Sequence, residues 1–207
     1  MNLTELADFY ETDKGTCFKG CHNYTSIYQS FISNQEKKKM LEIGLFDGAS
    51  TMMWQSFNPN LENVVIDISS ENLKKQFELS FDKNRVSLEL GDQSDVVFLK
   101  KIGDKYSPFD YIIDDGSHFQ HHIQISFSVL FEYLNSGGFY FIEDLQVHLS
   151  KKYCRDPKES VISLFEYFVK NRYFNSYCVN NEILNRYKDQ IKSIELINNK
   201  LLVIQKV

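Results

Sequence analysis

Cysteine is scarce in this chain, with four residues in 207, at positions 17, 21, 154 and 178. Cys17-x₃-Cys21-His22 offers half a zinc site, but no second Cys/His cluster completes it. Free thiols in a reducing compartment are the expectation. Proline is scarcer still, and no Pro/Gly/Ser-rich linker divides the chain. The apolar runs are only strand-sized, too short to cross a bilayer as a helix, and Met1–Tyr10 lacks the basic start and apolar centre of a secretory signal. A basic block is missing as well. Lysine and arginine total 23 against 28 acids, a net charge of −5, which argues against a nucleic-acid backbone as partner. These absences leave a cytoplasmic globular protein with no nucleic-acid or membrane partner; homo-oligomerisation stays open.

What is present suits one domain over residues 1–207, long enough to bury roughly 70% of its unfolded surface. Aromatic residues are plentiful, with 17 Phe and 12 Tyr. Strand patterns at 39–44, 63–68, 85–90, 109–113 and 137–142 alternate with helical patterns at 50–57, 69–79, 94–102, 120–134 and 160–173. Alternation of this kind predicts an α/β fold with a Rossmann-like, doubly wound sheet. Ile191–Ile197 and Lys200–Gln205 flank Asn198-Asn199, a two-residue link that predicts a C-terminal antiparallel hairpin and brings the sheet to seven strands. Residues 1–35 precede the first strand and read as a helical cap or lid on a core spanning 36–207.

Two of the strands end in acid. Phe109–Ile113 runs into Asp114-Asp115-Gly116-Ser117-His118, and Gly137–Ile142 runs into Glu143-Asp144. In open α/β sheets ligands sit beyond the carboxyl ends of the strands. Four carboxylates delivered there repel one another unless a cation or proton lies among them. A divalent metal with an adjacent base resolves that repulsion.

The first strand leads through Leu41-Glu42-Ile43-Gly44-Leu45-Phe46-Asp47-Gly48-Ala49-Ser50 into a helix. Gly44 and Gly48 let a ligand approach the backbone. The middle glycine of a dinucleotide fingerprint is missing, and Asp47 is unfavourable beside a pyrophosphate, so a cationic or zwitterionic ligand such as S-adenosylmethionine suits the loop better. Asp67 ends the second strand, in position to accept ribose hydroxyls, and Asp92-Gln93 ends the third, within reach of an adenine amino group. Read without a ligand, Asp67 caps the next helix and Asp92 makes a turn.

These pieces carry a resemblance. Asp13-Lys14-Gly15-Thr16, His22-x-Tyr24-Thr25, Leu41–Gly44, Gly91–Ser94, Asp114–His118 and Gly137-Gly138-x₃-Ile142–Leu145 together resemble the class I S-adenosylmethionine-dependent methyltransferases. More narrowly they are similar to the metal-dependent sugar O-methyltransferases that act on macrolide antibiotics and to the cephalosporin hydroxylase-like proteins. The likeness spans residues 13 to 145. It implies Mg²⁺ or another divalent cation on Asp115, Glu143 and Asp144, with His118 as the base. It also implies a cofactor pocket formed by Glu42, Gly44, Gly48, Ser50, Asp67, Asp92, Gln93 and Asp114, with Lys14, Tyr24 and Thr25 near the methionine carboxylate. The acceptor would be a small molecule or glycan, methylated on a sugar hydroxyl.

Competing readings remain at this level. A nicotinamide-dependent oxidoreductase is disfavoured by the missing glycine and by Asp47, and a non-catalytic S-adenosylmethionine-binding subunit has no use for the acid–histidine set. A hydroxylase would need a two-His-one-carboxylate iron triad, and no such spacing is evident. His121 and His122 read as structural or solvated, and His148 as a candidate acceptor contact. The cations at Lys151, Lys152 and Arg155 read either as a solvated loop or as a greeting for a phosphorylated sugar.

Overall fold

The computed structural model describes residues 1–17 and 20–207, so two residues of the predicted lid lie outside the description. The chain forms two compact units, Met1–Leu90 and Gly91–Val207. In the first, α1 (Leu3–Tyr10) and the one-turn α2 (Thr25–Tyr28) precede β1 (Lys38–Ile43), followed by α3 (Ala49–Phe57), β2 (Leu61–Asp67), α4 (Lys75–Ser80) and β3 (Val86–Leu90). A capping box starts α1. The Asn2 side chain accepts from the Glu5 N–H, and the Glu5 carboxylate accepts from the Asn2 N–H, satisfying two donors that the first turn leaves open. Its buried face (Leu3, Leu6, Ala7) packs on α3. The three strands pair in parallel in the order β3-β2-β1. In β2, Val65 and Ile66 point to opposite faces and are both buried, as parallel strands covered on both sides require.

The second unit contains α5 (Val96–Tyr106), β4 (Phe109–Asp114), α6 (Gln120–Leu130), β5 (Leu134–Ile142), α7 (Val161–Asn171), α8 (Asn181–Asn185), β6 (Ile191–Ile197) and β7 (Leu201–Lys206). Strands β4 and β5 are parallel, and β7 runs antiparallel between β5 and β6. The hairpin forms where predicted, but Ile197 pairs with Leu201, so the link holds three residues (Asn198, Asn199 and Lys200) rather than two. Asn198 and Asn199 both take left-handed φ, 53° and 54°, the conformation a tight I′-type link needs and asparagine tolerates. Phe127 centres an aromatic core with Phe131, Tyr140, Phe165, Phe174 and Tyr187. Ring pairs of this kind contribute about 0.5–1.5 kcal/mol each beyond their buried area.

Three helices depart from their predicted bounds for local reasons. The helix expected over 69–79 starts only at Lys75, because side chains capture the backbone before it: the Ser69 N–H donates to Asp67 Oδ1 (3.2 Å) and the Glu71 N–H to Ser69 Oγ (3.1 Å). Such turns compete with helix. Asp95, not Ser94, caps α5 by accepting from Val97 and Phe98, while Ser94 donates to Asp92. The third, α6, stops at Leu130 and a 3₁₀ turn (Phe131–Tyr133) follows. Lys206 Nζ donates to the carbonyls of Phe131, Glu132 and Leu134, acceptors that a helix end leaves free. Among the described residues no helix is long and apolar enough to cross a membrane.

Candidate active site

In the first unit the predicted cofactor loop is a turn tied to the end of β2. Asp67 Oδ2 accepts from the backbone N–H groups of Leu45 (2.7 Å) and Phe46 (3.3 Å). Gly44 and Gly48 have φ of 104° and 87°, and Phe46 also lies in the left-handed region. A Cβ on Gly48 would come within 2.6 Å of the Leu73 side chain, so this glycine is required by both conformation and space. Asp47 is neutralised by Lys74 at 2.9 Å and accepts from the Ala49 N–H.

Glu42, also expected at the cofactor pocket, lies inside. It is 1% exposed, and its Oε2 accepts from Thr51 Oγ1 (2.8 Å) and Asn63 Nδ2 (3.0 Å). Burial raises its pKa, while donation from Ser50, the charge of Lys14, and donation from Thr51 and Asn63 oppose that rise. Lys14 and Tyr24 are buried. Tyr24 stacks on His22 with ring centroids 5.1 Å apart, and Thr25 meets Thr4 through their hydroxyls at 2.8 Å. Lys14, Tyr24 and Thr25 are therefore inward-facing residues of the first unit.

In the second unit the strand-end acids divide into two groups. Asp114 lies inside, where its oxygens accept from Gln93 Nε2 (3.0 Å) and Ser126 Oγ (2.8 Å). Gln93 is committed on both sides, since its Oε1 accepts from the Ser117 N–H at 2.6 Å. Asp92 Oδ1 accepts from the N–H and hydroxyl of Ser94, and these bonds lower its pKa.

The second group faces outward. Asp115, His118 and Asp144, all half-buried, each present one ligand atom, and the three atoms lie within 4.8 Å of one another. His118 Nε2 stands 3.9 Å from Asp144 Oδ2. Both His118 (φ 59°) and Asp144 (φ 55°) hold left-handed backbones. That conformation is uncommon outside glycine and points to a functional constraint. Two hard carboxylates and an imidazole, with further positions open for water or substrate, fit a divalent cation. Glu143, predicted as a third carboxylate, is 1% exposed and is not one of the converging three; its backbone N–H donates to the Asp114 carbonyl.

Other predicted residues have settled roles. His122 Nδ1 is 2.9 Å from Ser117 Oγ, and His148 Nδ1 is 2.6 Å from the Leu145 carbonyl. Two further residues stand beside the group: Gln146, which gave no signal in the sequence, and Tyr153, the aromatic of the cationic 147–159 loop expected to border the acceptor site. Gln146 Nε2 donates to Asp144 Oδ1 at 3.1 Å, and the Tyr153 ring lies edge-on to His118, with centroids 6.3 Å apart. Nothing in the local pattern sets Gln146 apart from an ordinary loop residue.

No family model matches the chain. It is 35% identical over 153 residues to mycinamicin VI 2''-O-methyltransferase of Micromonospora griseorubida, covering 70% of this chain and 36% of that protein. It is 36% identical over 156 residues to L-olivosyl-oleandolide 3-O-methyltransferase of Streptomyces antibioticus, covering 69% and 36%. Among solved structures it matches the MycE methyltransferase in complex with Mg, S-adenosylhomocysteine and mycinamycin VI, with a TM-score of 0.80 and 28% identity over 100% of this chain and 53% of that one. The chain is a homologue of the macrolide sugar O-methyltransferases and has the class I methyltransferase fold. It spans about a third of the length of the curated relatives it matches. This methyltransferase homologue also matches a Staphylococcus aureus putative caffeoyl-CoA O-methyltransferase at a TM-score of 0.58 and 16% identity, a likeness of fold alone.

Proposed function

We propose that the chain is an S-adenosylmethionine-dependent, divalent-metal-dependent O-methyltransferase acting on a sugar hydroxyl of a glycan, nucleotide sugar or glycosylated metabolite. The observation that carries this reading is the convergence of Asp115, His118 and Asp144 at the ends of β4 and β5. Homology to enzymes named for methylating sugar hydroxyls supports it. In the proposal Asp115 and Asp144 hold the cation, with Glu143 as a further carboxylate. Bound there, a divalent cation supplies Lewis-acid polarisation that lowers the pKa of an acceptor hydroxyl.

His118 takes the hydroxyl proton on Nε2. That nitrogen stands 3.9 Å from Asp144 Oδ2, and general-base catalysis of this kind is typically worth ~10²–10⁴-fold. The Gly44–Ser50 loop, braced by Asp67, presents backbone for the methyl donor, with Glu42, Lys14, Tyr24 and Thr25 as its buried support. Asp92, Gln93 and Asp114 are the proposed cofactor residues of the second unit.

Calorimetry tests the proposal. S-adenosylhomocysteine should bind and NAD⁺ should not; the reverse result sinks it. The same convergence favours a second reading, in which His118 is the third ligand rather than the base. The two separate on His118→Ala: a base variant keeps its Mg²⁺ affinity and loses turnover, whereas a ligand variant loses both.

A further inference from the structure

Beside the candidate metal group, the second unit has a small cavity of about 50 Å³ lined by Phe119, Gln120, His121, Lys152, Tyr153, Arg155 and Glu159. One water needs roughly 10–15 Å³ measured this way, so the space suits a group of a few heavy atoms, the size of a tetrahedral oxyanion. The Tyr153 ring connects the two places. It lies 6.3 Å from the His118 ring and 5.5 Å from the Phe119 ring, centroid to centroid, and its loop is fixed by donation from the Gln120 N–H to the Tyr153 carbonyl at 3.0 Å.

The charge around this cavity runs against that of the whole chain. Residues 150–160 carry Lys151, Lys152, Arg155 and Lys158 against Asp156 and Glu159, in a protein of net charge −5. Among the described residues none of those four cations makes an ion pair. The Asp156 carboxylate is occupied in accepting from the Lys158 N–H at 2.9 Å. Lys152 Nζ turns to the Tyr153 hydroxyl at 3.0 Å, which holds it at the cavity. Glu159 also lines the space, and its single charge is outnumbered by Lys152 and Arg155. A planar guanidinium without a carboxylate, beside an ammonium and an oxyanion-sized space, is the donor set that binds phosphate.

We infer that the acceptor is a phosphorylated sugar. Its phosphate occupies the Lys152/Arg155 cavity, its ring lies along Tyr153, and the hydroxyl to be methylated reaches His118. This rests on the methyltransferase reading above and narrows its substrate class. Two sources share the chemistry, a sugar monophosphate and a nucleotide diphosphate sugar.

Binding of glucose 1-phosphate, UDP-glucose, glucuronate and methyl α-glucoside to the Mg²⁺-loaded protein tests it by calorimetry, with S-adenosylhomocysteine binding measured alongside. At least one phosphorylated probe should bind about tenfold or more tighter than methyl glucoside, as charge-assisted hydrogen bonds predict, and which one does so distinguishes the sources. Lys152→Ala/Arg155→Ala should erase that preference and leave S-adenosylhomocysteine binding intact. Equal binding of all four probes, glucuronate matching the phosphates, or a preference that survives in the double variant overturns the inference. Failure to bind S-adenosylhomocysteine overturns the methyltransferase reading instead, and the probe comparison stands apart from it.

Discussion

Thr51→Val isolates the buried carboxylate of Glu42. Thr51 is fully buried on α3, and its hydroxyl donates to Glu42 Oε2 at 2.8 Å. Valine has the same shape without the donor. A hydrogen bond to a charged group is worth about 1.5–3 kcal/mol, and to a neutral one about 0.5–1.5. The penalty therefore depends on whether Glu42 is ionised. Its folded pKa is raised, chiefly by burial, so the native state holds a proton at pH values where the unfolded chain has lost it. Stability then falls as pH rises from the unfolded value through the folded one. Removing a donor that favours the charged form raises the folded pKa further, so the loss of stability grows with pH. Urea unfolding over a pH series should show Thr51→Val costing about 0.5–1.5 kcal/mol where Glu42 is protonated and about 1.5–3 kcal/mol where it is ionised, the penalty rising with pH. In a chain of this length the larger loss lowers the melting temperature by roughly 5–10 °C. A Glu42→Gln background should abolish the pH dependence of the penalty. A penalty that falls as pH rises, or a pH dependence that survives in the Glu42→Gln background, would refute the argument.

Asp144→Asn should remove Mg²⁺ binding measured by calorimetry while S-adenosylhomocysteine still binds; unchanged metal affinity would remove Asp144 from the ligand set. Gln146→Leu leaves every candidate ligand in place but releases Asp144 Oδ1. Partners of this kind typically contribute 10–100-fold to metal affinity or activity, so Mg²⁺ affinity should fall by about that factor, and a variant as tight as the native protein would show that Asp144 needs no support. Gly48→Ala forces a Cβ onto a backbone at φ 87°, at a cost of about 1–2 kcal/mol; unfolding measurements should show that loss together with weaker S-adenosylhomocysteine binding, and a neutral result would mean that the loop relaxes freely.

The strands were the legible part of this chain. Val64–Ile66 and Tyr111–Ile113 are apolar without alternation, and only a strand covered on both faces needs that pattern. Asn198-Asn199 announced its hairpin because few residues tolerate two successive left-handed positions. Helix ends were less legible, since side chains distant in sequence decide them. Lys206, 72 residues beyond Leu134, takes the carbonyls that close the turn after α6, and no local window contains it.

The site shows the same division. The spacing of Asp115 and His118 and the position of Asp144 could be read because strand ends fix where such residues emerge. Which acids turn inward could not be read, because adjacent residues on a strand leave it in opposite directions and the destination depends on the partners waiting there. Asp114 and Asp115 make the point. The first is drawn inside by Gln93 and Ser126, which come from elsewhere in the second unit, and the second joins His118 and Asp144 outside. The electrostatic puzzle of clustered acids is thus resolved twice over. Asp114 keeps its place through hydrogen bonds and a raised pKa caused by burial, while Asp115 and Asp144 converge with His118 as the group proposed to hold a cation. The left-handed backbones at His118 and Asp144 belong to this second solution. His118 lies four residues beyond the end of β4 and Asp144 two beyond the end of β5. Backbone in that conformation stores strain that surrounding structure must offset, and here the Asp144–Gln146 hydrogen bond and the packing of Tyr153 against His118 supply part of that support.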